Sequence, residues 1–131
     1  MKNALVVSRV LLGLPFLIFG LNYFWDFMPP QEHAGQAAAY MAALGDAAYV
    51  WPVLKSFEIV IGFLLIIGQF VPLALVMVTP IMINIVGFHF FMDRGSLGMV
   101  IALVMTALYL YLLVMHLPRF SQLLERVPPR N

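Results

Sequence analysis

Four apolar stretches, at about 5–27, 50–68, 71–91 and 97–117, constrain this chain more than any other feature of its sequence. Each is close to the roughly 20 residues that a helix needs to cross the hydrocarbon core of a bilayer. That core offers no water to the backbone, so each stretch must satisfy its own amides and carbonyls as a helix. In a chain of 131 residues the turns and tails leave room for four such spans. The expectation is one all-α integral membrane domain over 1–131, four antiparallel transmembrane helices in a bundle, with the lipid bilayer as its first partner. Composition agrees, since 63% of the residues are hydrophobic and 10% charged, well away from soluble domains.

The same composition removes several chemistries. There is no cysteine, which excludes thiolate nucleophiles, disulfide exchange, iron–sulfur clusters and Cys-rich zinc sites within this chain. A net charge of +1 without a basic run gives no electrostatic reason to bind nucleic acid. No phosphate-cradling glycine loop, nucleotide fingerprint or Ser/His/Asp arrangement stands out.

Prolines and loop composition set the expected boundaries. Pro29-Pro30 close the first span and Pro118 the last, while Pro52 and Pro72 fall in first turns, where a missing amide costs little. The first span is too long for a signal-peptide core and reads as a retained helix. The link around Gly68-Gln69-Phe70 is so short that the second and third spans must be antiparallel neighbours. In the first loop, Gln31 to Leu44 places Ala37, Tyr40, Met41 and Leu44 on one face, which predicts a short interfacial helix. A second is expected in the tail, where Phe120, Leu123, Leu124 and Val127 share a face opposite Arg119, Glu125 and Arg126. Lys2, Arg9, Arg119, Arg126 and Arg130 flank the outermost spans, and the long first loop has no Lys or Arg. The positive-inside rule therefore places both termini in the cytoplasm of a multi-pass inner (plasma) membrane protein, against the single vote of Arg94.

Ionisable groups inside a bilayer cost roughly 2.5–3.5 kcal/mol each unless they face a bundle interior, a cavity or a partner. Their positions are therefore informative. Asn22 and Asp26 in the first span, Lys55 and Glu58 in the second, and Asn84 and His89 in the third all fall in the outer half. Glu58 lies roughly 12 Å from the Val50 end and Asn84 roughly 10 Å from the Phe91 end, a similar depth at the rise of a helix. Spacings of four and three put Asn22 with Asp26, and Lys55 with Glu58, on shared faces. Asn84 and His89 are about 140° apart, so if Asn84 looks inward, His89 looks sideways. Gly62, one turn from Glu58, leaves room beside the carboxylate or lets helices approach. Pro80, one turn from Asn84, frees the Val76 carbonyl, expected to face the interior. The inner half reads as almost purely aliphatic.

The expected ligand-binding or proton-relay residues are thus Asn22, Lys55, Glu58, Asn84 and His89. Asp26, Asp93 and Arg94 lie nearer the interface, where a solvated charge needs no special explanation, and form a second tier. Lys55 with Glu58 also reads as an ion pair fixing helix packing, Arg9 as a snorkelling anchor, and Trp25 and Trp51 as an aromatic belt. His116 falls at the opposite end from His33 and His89, so neither a bis-His haem nor a metal is expected, although a His33, His89 and carboxylate set stays open.

At these residues the chain resembles the DoxX family of small four-helix membrane proteins. The likeness rests on Arg9-Val-Leu-Leu-Gly13 with Phe19-Gly20-Leu21-Asn22, on Lys55-x-x-Glu58-x-x-x-Gly62 after Trp51-Pro52, and on Pro80-x-x-x-Asn84-x-x-x-Phe88-His89. Family members often carry lysine where this chain has Tyr23. The resemblance implies a redox-associated membrane subunit with a quinone site, the family being named after a subunit of a quinone-reducing oxidoreductase complex; nothing in this chain supplies electrons, so a flavin, a haem or a redox protein partner would have to. Two other functions fit the residues: a small homo-oligomeric transporter using Glu58 as coupling carboxylate, and a structural or assembly subunit.

Overall fold

The computed structural model describes residues 1–125, and Arg126, Val127 and Arg130, invoked above for the tail helix and the topology, lie outside them. Among the described residues the secondary structure is helical: α1 Lys2–Trp25, α2 Gly35–Asp46, α3 Val50–Ile67, α4 Val71–Phe91, α5 Leu97–Phe120 and a 3-10 turn at Ser121–Leu123. Four helices, α1, α3, α4 and α5, are long and apolar enough to cross a membrane. At 12 residues, α2 is about 18 Å long and too short to do so.

The helix ends correct several expectations. α1 stops at Trp25, before Pro29-Pro30, because Asp26 takes a left-handed cap conformation and its N–H bonds the carbonyl of Asn22. α5 runs through Pro118 to Phe120. A proline forfeits only the bond to the carbonyl four residues back, and so close to a helix end that loss does not break the last turn. The tail does not continue as an amphipathic helix over Leu123 and Leu124, which are exposed on and beside the 3-10 turn. α2 starts at Gly35 rather than Gln31, and the face turned inward carries Ala37, Tyr40, Met41 and Leu44 as the spacing predicts.

Each long helix packs against two others: α1 on α3 and α5, α4 on α3 and α5. The α1–α3 contact is the closest. A Cβ on Gly62 would lie 2.6 Å from the Leu17 amide nitrogen and 2.7 Å from the Gly13 carbonyl oxygen. Backbone therefore meets backbone here, as small residues allow between apolar helices. At Gly68 the left-handed cap of α3 (φ 74°) meets the turn into α4, and the Arg9 guanidinium lies over it. Arg9 thus sits at the negative end of the α3 dipole.

The core is not evenly distributed. Leu12, Ile61, Leu65, Leu75, Val78 and Leu112 are fully buried and fill the half of the molecule on the side of the Gly68 turn. That half is less purely aliphatic than expected: Thr79 and Tyr109 share a 2.7 Å hydroxyl bond, and Ser8 and His116 are buried, with His116 Nδ1 2.8 Å from the Leu112 carbonyl. Meanwhile Val7, Ile18, Phe63, Leu73, Ile83, Val104 and Val114, drawn from all four long helices, are exposed. An apolar surface of this kind requires a nonaqueous surrounding, as a multi-pass membrane protein has.

Candidate functional site

In the other half of the molecule the long helices line a half-open cavity of about 640 Å³, bordered also by the α1–α2 connection and α2. Asn22, Asp26, Lys55, Glu58, Asn84 and His89 all border it. Asp93 and Arg94 do not, and lie in the α4–α5 connection.

The α3 wall follows directly from helix spacing. Trp51, Leu54, Lys55 and Glu58 recur at intervals of three and four and so share one face. Lys55 Nζ donates to Glu58 Oε2 at 2.9 Å and stands 5.4 Å above the Trp51 ring centroid. Glu58 is 5% exposed. Trp51 is thus a cation–π partner inside the site rather than only part of an aromatic belt; Trp25 is 69% exposed.

Asn22 shapes the rim. Its Oδ1 accepts the Met28 N–H at 2.7 Å, six residues on, which folds the chain back over the cavity after the Asp26 cap. Asp26 consequently belongs to the turn and not to the helical face expected for it.

Asn84 and His89 point apart, as their spacing requires, Asn84 toward α2 and His89 toward the neighbouring α5. Asn84 is exposed at the margin, where its Oδ1 accepts from the Tyr40 hydroxyl of α2 at 2.8 Å. His89 is half-buried and packed against Gly98 of α5, where a Cβ would collide with its imidazole. The reason is local: α2 supplies a polar partner on one side of α4, and Gly98 supplies space on the other. Pro80 and Val76 are likewise exposed, so the carbonyl freed by Pro80 lies on the outward face of α4 and not in the interior.

Above His89 the structure gathers residues distant in sequence. His89 Nδ1 lies 3.3 Å and His33 Nδ1 3.9 Å from Asp93 Oδ2. The His33 ring also meets Phe88 edge-on, centroids 5.4 Å apart. Both Nδ1 atoms are buried and make no hydrogen bond. Among the described residues, however, no group of three His, Asp or Glu is arranged to hold a metal ion. Arg94 turns away, its Nε donating to the Phe90 carbonyl at 2.6 Å.

Chemically the cavity combines apolar walls, including Phe16, Ile81, Ile101 and Met105, with a few donors: the Lys55 ammonium, the Asn84 amide group and the imidazoles. That mixture is typical of sites for small amphipathic molecules. Tyr40 was visible from sequence only as part of the α2 face; its pairing with Asn84 depends on where α2 docks. Comparison with family models, with curated proteins and with solved structures returns no match to this chain.

Proposed function

We propose that this chain is a redox-associated subunit of the inner membrane, an antiparallel four-span bundle whose cavity binds the head group of a quinone or a similar amphipathic molecule. The observation that carries the reading is the cavity of about 640 Å³ in which a buried carboxylate, ion-paired with a part-buried lysine, stands among apolar walls and a few further polar side chains. A polar site inside an apolar bundle is costly without a function. The Lys2, Arg9 and Arg119 bias puts both termini in the cytoplasm, the cavity in the outer half and α2 along the outer interface. The DoxX-like blocks around Asn22, Lys55–Gly62 and Pro80–His89 support the same class.

In this reading Lys55 or Asn84 donates to a quinone carbonyl, and Glu58 or His89 passes protons to the reduced oxygens. Electrons come from a redox protein partner, because no side chain here is a reductant. The half on the Gly68 side is densely packed around Leu12, Ile61, Leu65, Leu75, Val78 and Leu112, which supports a one-sided binding site over the transporter.

One observation favours a structural role as a second reading: Lys55 and Glu58 already satisfy each other. Tryptophan quenching separates the two. In a Trp25→Phe protein, Trp51 reports from the cavity wall, and a decyl benzoquinone should quench it saturably. Glu58→Gln and Asn84→Ala should each weaken that binding. Only linear, collisional quenching, equal in all variants, would leave the structural reading.

A further inference from the structure

Next to the cavity, on the outward face of α4, lies a groove of about 400 Å³ bordered by Pro80, Ile83, Gly87, Phe91 and Met92. It is apolar and open to the surroundings, with Ile83 70% and Phe91 71% exposed. The groove and the cavity share three lining residues, Tyr40, Asn84 and Phe88. Between them stands only a thin wall: the hydrogen bond from Tyr40 to Asn84, at 2.8 Å, and the Phe88 ring, 5.6 Å from that of Tyr40.

Gly87 keeps the groove open. A Cβ there would meet nothing within 4 Å, and its backbone is not in the left-handed region, so the position imposes no demand for glycine within the chain itself. Empty space at a residue without a side chain, within two turns of the C-terminal end of a membrane-length helix, leaves a trough for something that is not this protein. Away from Tyr40 and Asn84 it suits apolar contents, because Ile83, Phe91 and Met92 offer no hydrogen bond. Its continuation past Asn84 ends at the polar side of the cavity.

We infer that the groove holds the apolar chain of the molecule whose head group occupies the cavity, so that the ligand is a ring bearing one long tail and reaches its site sideways from the bilayer. This rests on the cavity being a binding site for such a head group. The Tyr40–Asn84 hydrogen bond then acts as the threshold the chain lies across, and Asn84 serves both compartments.

The test uses the full chain in nanodiscs, with dimethoxymethyl-benzoquinone lacking a side chain and its decyl derivative as probes. Gly87→Leu fills the groove without touching the cavity, and Gly87→Ala is its conservative control. The inference predicts that Gly87→Leu weakens the decyl probe at least about tenfold, the loss of a few buried methylenes, while the tailless ring binds as in wild type. Gly87→Ala should behave as wild type with both, and thermal unfolding should be unchanged in either variant. If Gly87→Leu binds both probes as wild type does, the groove holds ordinary lipid acyl chains and the inference is overturned. Equal loss of both probes would also overturn it, since the effect would then lie in the cavity. If wild type binds neither probe, the cavity reading beneath it fails instead.

Discussion

Lys55 and Glu58, three residues apart on α3, form a 2.9 Å ion pair in which the carboxylate is almost wholly enclosed and the ammonium reaches over Trp51. The two partners are not symmetric. Removing the lysine strands a buried charge, whereas removing both leaves an apolar face.

Lys55→Met alone should therefore destabilise the protein by about 3–5 kcal/mol, and Lys55→Met with Glu58→Leu should recover most or all of that loss. Thermal unfolding in detergent reads both. If the double variant is as unstable as the single one, burial of an unpaired carboxylate is not what the single change costs.

The α1–α3 crossing makes a sharper demand. Gly62→Ala places a methyl group against the Leu17 amide and the Gly13 carbonyl, neither of which can move independently of its helix. A cost of about 1–3 kcal/mol is expected, as for other overpacked sites. Gly87→Ala, also within a long helix, should cost little, because its Cβ enters open space. Parallel unfolding measurements on the two alanine variants check the contrast.

Thr79 and Tyr109 join α4 to α5 through one hydroxyl–hydroxyl bond, and Thr79 Oγ1 also donates to the Leu75 carbonyl at 2.8 Å. Tyr109→Phe should cost about 1 kcal/mol, within the range for interhelical hydrogen bonds in membranes. A double-mutant cycle with Thr79→Val should show that the two losses are not additive. Strict additivity would mean that the hydroxyls do not interact.

Asp93 is the point on which His33 and His89 converge. Asp93→Asn removes the charge and should loosen the segment 27–34 over the cavity. Hydrogen exchange should rise there while the α1 and α5 interiors keep their protection. Unchanged exchange in that segment would show that Asn22 and its bond to Met28 hold it without help.

Much of this molecule is legible in its sequence. A run of about 20 apolar residues bounded by turn formers reads as a helix long enough to span a bilayer, and α4 falls at Val71–Phe91 accordingly. Polar residues within spans are rare enough that Asn22, Lys55, Glu58, Asn84 and His89 could be gathered by depth alone, and all five border one cavity. What could not be read depends on nonlocal packing. The Tyr40–Asn84 bond requires knowing where α2 docks, and the choice of α5 as the neighbour of His89 requires knowing that Gly98 faces it. Proline is a weaker stop here than its sequence position suggests: α5 continues through Pro118, while Asp26, which carries no helix-stop signal in the sequence, ends α1 in a left-handed conformation.

On the proposed function, the cavity beside Lys55 and Glu58 holds a small amphipathic molecule in the cell. Native mass spectrometry with lipid extraction, on protein gently purified from its own membrane, tests this most directly. Wild type should carry a quinone or another defined small molecule that is depleted in both Glu58→Gln and Asn84→Ala. Bulk phospholipid alone, in equal amounts in all three proteins, would contradict the claim.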